Sequence, residues 1–162
     1  MKEAIASGGP TQQLLVEEAI ELAPTFSAAM GLLSNIYQYR HASTNEALEW
    51  ATKAVAADTS NWLAWIQLGR VYAHLKRDAV EATRAFAESV RLKPEFEGGS
   101  PSEPYSYLLP VYLRVNMWVQ ATDAENRVRD GGTRLADNYE QEWVLLVAAA
   151  PVEALRDALT GR

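Results

Sequence analysis

One segment constrains this chain more than any other: residues 61–94, NWLAWIQLGRVYAHLKRDAVEATRAFAESVRLKP. Trp65, Leu68, Gly69 and Tyr72 stand at i, i+3, i+4 and i+7, on one face of a helix. After the polar break Lys76-Arg77-Asp78, Ala82, Phe86 and Val90 recur every four residues, a second helix that Pro94 stops. A glycine inside a helix costs ~1 kcal/mol relative to alanine. Gly69 therefore predicts that a neighbouring helix comes close there, and Ala82 predicts the same on the second helix. Trp65, Tyr72 and Phe86 are expected to fill the space around these contacts. A lone hairpin of this kind cannot bury its apolar face, so neighbours of the same kind are expected.

They are legible on both sides. Met30, Leu33, Ser34 and Tyr37 lie 35 residues before Trp65, Leu68, Gly69 and Tyr72, and Ala47 and Ala51 lie 35 before Ala82 and Phe86. This defines a copy over 25–59 ahead of the clearest copy over 60–94, with Ser43 or Thr44 capping its second helix and Glu46 in support. Residues 11–24 read as the second helix of a copy whose first is missing or reduced to Met1–Ser7. Thr11 is its expected cap, and Leu15, Ala19 and Leu22 its expected apolar stripe. Downstream, EFEGGSPSEP reads as a loop of ten residues. Pattern resumes at Pro104 with Tyr105, Leu108, Leu109 and Tyr112, and Ala121 follows nine residues after Tyr112. This third copy, 104–130, is degenerate: Pro110 is expected to kink or shorten its first helix, and Glu125 stands where an aromatic belongs. Asp130-Gly131-Gly132 is the expected stop. The remainder, 134–162, divides at Pro151, a residue suited to N1. Tyr139, Trp143, Leu146 and Val147 mark one helix, and Val152, Leu155, Ala158 and Leu159 mark another, a pair expected to cap the stack. Trp118 and Trp143 are expected in the core, and Trp62 at an edge or a partner contact.

The string W-x2-L-G-x2-Y, then A-x3-F, then P, is filled at every position in 60–94, and there the chain resembles the tetratricopeptide (TPR) family. One departure is that Tyr72 to Ala82 is one step longer than usual, which is expected to lengthen the turn. The resemblance implies an all-α fold: a right-handed α-solenoid of antiparallel helix pairs, about 8–9 helices, forming a single domain over 1–162. Proteins of that family hold an extended peptide or partner helix on a concave wall lined by the first helix of each pair. Carried over, the first complete copy contributes Gly31, Asn35, Gln38 and Tyr39. The next gives Ile66, Gln67, Arg70, Ala73 and His74, and the third Ser106, Tyr107, Leu113 and Arg114. The candidate groove residues among these are Asn35, Gln38, Tyr39, Gln67, Arg70, His74, Tyr107 and Arg114. They suit backbone amides or an acidic segment, since arginine can grip a carboxylate in two places. The family's clamp for chaperone C-termini is mostly absent: Asn35 matches, but Gly31, Gln67, Glu103 and Tyr107 replace its other residues.

Composition narrows the function further. An apolar fraction of 48% with 22% charged residues is ordinary for a globular domain, and a net charge of −6 opposes a nucleic-acid or anionic-membrane surface. The chain has no cysteine, which excludes disulfides and thiolate chemistry. The longest apolar run, Trp143 to Val152, is ten residues and contains Pro151, too short to span a bilayer. The start, MKEAIASGGP, lacks the apolar core of a secretion signal, so the cytoplasm is expected, or the periplasm if an export segment was removed. His41 and His74 fall in different copies without further ligands at metal spacing, and no phosphate loop, Gly-x-Ser-x-Gly or His-Glu-x-x-His is present. No cofactor, metal or catalysis is expected. The leading expectation is a scaffold for a protein or peptide partner. The alternative, motivated by the orphan helix at 11–24, is a homo-oligomer or a piece of a longer array that assembles through its open ends.

Overall fold

The computed structural model describes residues 10–92, 102–131 and 137–162. Among them are nine α-helices and no strand. In chain order they are α1 (Pro10–Leu22), α2 (Ser27–Ile36), α3 (Thr44–Ala57), α4 (Trp62–Arg70), α5 (Ala79–Leu92), α6 (Glu103–Arg114), α7 (Trp118–Gly131), α8 (Asp137–Ala149) and α9 (Val152–Thr160). No helix among the described residues is long and apolar enough to cross a membrane. Helices α2 and α3, α4 and α5, and α6 and α7 pack as three hairpins, while α1 lies against α2.

The period of 35 is written into the backbone. Helix α2 runs on into a π-helical turn, Tyr37–His41, and α4 into another, Val71–Lys76. Both close on a left-handed residue, Ala42 (φ 48°) and Arg77 (φ 55°), 35 positions apart. Ser43 N then donates to Tyr37 O at 3.0 Å, and Asp78 N to Tyr72 O at 2.9 Å. The longer Tyr72–Ala82 spacing is thus absorbed inside the helix end, as one wide turn, and not in the connecting loop. The third hairpin, with its spacing of nine, has no π turn: α6 stops at Arg114 and Asn116 (φ 60°) takes the left-handed position.

Close approach is achieved in two ways. A Cβ placed on Gly69 would stand 2.7 Å from the Phe86 ring, so the missing side chain is the space the ring occupies. In the preceding hairpin the equivalent residues are Ser34 and Ala51. There the small serine sits fully buried and its hydroxyl donates to Ala47 O at 2.7 Å, which satisfies the polar atom. The N-terminal half is accordingly an alanine-rich core, with Ala47, Ala51 and Ala54 fully buried. The C-terminal half is an aromatic one. Phe86 stacks on Tyr107 with ring centroids 4.1 Å apart, and Trp143 meets both edge-on at 6.5 and 5.6 Å.

The last two helices do not simply extend the row. The chief neighbours of α8 are α6 and α5, and α9 lies along α5. Leu155 and Ala158 of α9 are buried there, and Arg84 Nη1 reaches the carbonyl of Arg162 at 3.4 Å. The outer side of α7 is left in water, and Trp118, expected in the core, is 61% exposed. Other expectations shift as well. In α1 the buried residue is Val16, flanked by Ala19 and Ile20, while Leu15 and Leu22 face solvent because α2 meets the helix from another side. Thr11 is already inside α1, which includes Pro10. Pro110 lies inside α6, which continues past it to Arg114. Ser43 takes the N-cap position of α3, its hydroxyl donating to the Glu46 carboxylate. Pro151 is the N-cap of α9, one place before N1. Gly131 is still helical. Pro94, most of the EFEGGSPSEP loop and Gly132 lie outside the described residues.

The two mid-helix glycines make opposite predictions. At Gly31 an added Cβ would meet only Gln67 Cγ, at an ordinary 3.7 Å. Gly31→Ala should therefore stabilise by up to about 1 kcal/mol through helix propensity. Gly69→Ala should destabilise by about 1–2 kcal/mol net, since the pinned Phe86 ring cannot yield. Phe86→Ala should cost about 3–5 kcal/mol. Urea unfolding of the three variants checks the signs, and a stabilised Gly69→Ala would contradict the packing described.

Candidate partner-binding face

The first helices of the hairpins stand side by side, and their facing residues meet across the seams. Asn35 Nδ2 donates to Gln67 Oε1 at 3.5 Å between α2 and α4. Between α4 and α6, Arg70 Nε donates to Glu103 Oε1 at 2.5 Å, and Nη2 donates to the other carboxylate oxygen. Both side chains of this forked pair are largely sheltered, with 20% and 23% of their surface exposed. The guanidinium's two-point grip is therefore spent on a carboxylate of its own chain. Beyond it, His74 Nε2 and the Tyr107 hydroxyl share a hydrogen bond of 2.5 Å. Tyr139 of α8 meets the His74 ring edge-on at 4.7 Å, and Arg77 pairs with Glu142 of α8 at 3.1 Å.

Electrostatics follow this crowding. Burial first, and then Arg70, hold the His74 pKa below its ordinary value, with Glu103 and Glu142 opposing and Arg77 adding. Burial pushes the Tyr107 phenol far up, beyond any physiological titration. Tyr39 is 55% exposed, yet burial of its phenol raises its pKa, with Arg70 opposing and Glu103 and Tyr139 adding. Its hydroxyl end thus belongs to the same neighbourhood. On the other side of α6, burial drives Tyr112 up to about 12.

Where α6 and α8 lie side by side, a trough of about 440 Å³ opens, lined by Ser106, Leu109, Pro110, Leu113 and Arg114 of α6 and by Glu140, Val144, Val147 and Ala148 of α8. It is the apolar continuation of the polar seam. Among the described residues, no group of three His, Cys, Asp or Glu side chains could hold a metal ion.

The structure gathers Tyr39, Arg70, His74 and Tyr107 into one cluster, pairs Asn35 with Gln67, and sets Arg114 apart at the trough. Gln38 does not line a surface. It is 5% exposed, its counterpart Ala73 is buried too, and its amide atoms have no hydrogen-bond partner among the described residues. Tyr107 is likewise core, 2% exposed, because Trp143 closes over it and donates to its carbonyl at 2.8 Å. Sequence reasoning missed Glu103, which it left in the loop, and Tyr139 and Glu140. A signal for Glu103 existed: an acidic residue followed by proline marks a helix's first turn. The positions of Tyr139 and Glu140 carry no comparable mark, since α8 reaches this face only through tertiary packing. No protein-family model matches the chain, and no curated protein matches it.

Two outcomes are expected. Removing one partner of the Arg70–Glu103 fork, by Arg70→Ala or Glu103→Gln, should each cost about 1.5–3 kcal/mol, with a double-mutant cycle showing strong coupling. Additive effects would deny the pair. A histidine held neutral stabilises in full above its unfolded pKa of about 6.5, and loses that contribution as pH falls through its lower folded value. Melting temperature should therefore fall as pH drops below about 6.5 in the wild type, and fall less in His74→Gln.

Proposed function

We propose that this chain is a non-catalytic scaffold of the tetratricopeptide type, a right-handed helical solenoid that holds a segment of a partner protein on the face formed by α2, α4, α6 and α8. The observation that carries this reading is the equivalence of the first two hairpins. Matching π turns, left-handed residues and closing hydrogen bonds recur at 35 residues, and the same spacing sets the first helices side by side. The resulting face offers amides at Asn35 and Gln67, phenols at Tyr39 and Tyr139, and an apolar trough. These suit a peptide backbone with an apolar anchor. An acidic partner loses its main support, because Glu103 offsets Arg70, and Glu140 offsets Arg114 across the trough. The role needs no cofactor.

A second reading, self-association through the open ends, is favoured by one feature. Leu14 (64% exposed), Leu22 (81%) and Phe26 (49%) stand out at the α1 end, and Trp118 (61%) and Val119 (80%) on α7.

Arg70→Ala confounds any binding test, because it also breaks the fork to Glu103. The clean variant is Tyr39→Ala with Arg114→Ala, both exposed. Affinity capture from source lysate should retain far less partner on this double variant than on wild type, with melting unchanged. Equal recovery would contradict the scaffold reading, and a concentration-dependent dimer lost in Leu22→Asp would favour the second.

A further inference from the structure

The trough between α6 and α8 has a polarity that names its occupant more closely, on the footing of the partner-holding reading above. Its floor is Leu109 and Leu113 of α6 and Val144 of α8. Leu113 and Val144 are each 44% exposed, and the adjoining Leu145 is 71% exposed. Single exposed apolar residues are ordinary, but a contiguous set lining a concavity marks an interaction site.

The two helices run the same way. Both run with α4 and its π turn: Arg70 and then His74 meet Glu103 and then Tyr107 of α6. His74 and then Arg77 meet Tyr139 and then Glu142 of α8, while Trp143 of α8 donates to the Tyr107 carbonyl. Glu140, one turn before Trp143, therefore stands at the Ser106 end of the trough, and Arg114 stands at the other. At 1.5 Å per residue, the stretch from Ser106 to Arg114 is about 12 Å long. Both charges are exposed, and neither forms an ion pair among the described residues. The trough is thus acidic at one end, apolar along its floor and basic at the other end.

The geometry points to an amphipathic helix of a partner protein, about two turns long and parallel to α6 and α8. A basic residue in its first turn faces Glu140, apolar residues one turn on seat against Leu109 and Val144, and an acidic residue two turns on faces Arg114. Its own dipole has the same sense, positive at the Glu140 end and negative at the Arg114 end. An extended segment covers about 12 Å with only four residues and turns every second side chain away from the floor. A helix laid between two parallel helices keeps i, i+3, i+4 and i+7 on the floor and rims together.

Fluorescein-labelled alanine-rich helical peptides test this against the full chain by anisotropy. The first carries Lys, Leu, Leu and Glu at its first, fourth, fifth and eighth positions. Of the others, one has Lys and Glu exchanged, one has both leucines replaced by alanine, and one is interrupted by proline so that it stays extended. The first peptide should bind, the charge-exchanged one about tenfold more weakly, and the leucine-free one not at all. Arg114→Glu combined with Glu140→Lys should reverse the preference between the two charge orders while leaving melting unchanged. Equal binding of both orders, no reversal, or no binding of any peptide overturns the inference. Binding of the proline-interrupted peptide alone overturns the helix and leaves the partner-holding reading standing. If no peptide binds and Tyr39→Ala/Arg114→Ala captures as wild type does, both readings fall.

Discussion

The contact on which the rest of this structure depends is the one between Gly69 and the ring of Phe86. With no Cβ at position 69, the ring enters the space between α4 and α5, where any side chain would stand 2.7 Å from it. Held there, it offers one face to Tyr107 and an edge to Trp143. Four helices, α4, α5, α6 and α8, are thereby fixed to one another through three rings and a missing methyl group. Apolar interiors are close-packed, so a displaced ring would be felt by every helix around it.

The hairpins solve the same packing problem with different residues. Phe86 against Gly69 becomes Ala51 near Ser34, where a small hydroxyl replaces the ring and must find an acceptor in Ala47 O. What the two hairpins share lies in the backbone. Ten residues from Tyr37 to Ala47, and again from Tyr72 to Ala82, are one more than the third hairpin uses. In both cases the extra residue widens the last helical turn and is resolved at a left-handed position. Neither Ala42 nor Arg77 is a residue that prefers such φ values, so the surrounding packing selects them.

The proposed binding face is a by-product of that packing, and its chemistry differs from a plain row of exposed polar residues. Arg70 is already engaged by Glu103, His74 is enclosed between Tyr107 and Tyr139 with burial holding its pKa down, and Gln38 is withdrawn from solvent. What remains accessible includes Tyr39 at one end, the Asn35 and Gln67 amides and Tyr139, and the α6–α8 trough, with Leu113, Arg114 and Glu140, at the other.

The sequence by itself determined the helical class, the position of nearly every helix from Ser27 onward and the 35-residue register, because apolar period, small-residue contacts and proline stops act locally. It also marked Phe86 and Trp143 as core. Tertiary structure alone decided where α8 and α9 go, and with them the fates of Tyr107 and Trp118. Those depend on which distant surface a helix covers: α8 crosses to Tyr107 from 36 residues away, and no period in the chain encodes that choice. The exposed and buried sides of α1 were decided in the same way. Val16 and Leu15 are equally apolar, and only the side from which α2 approaches distinguishes them.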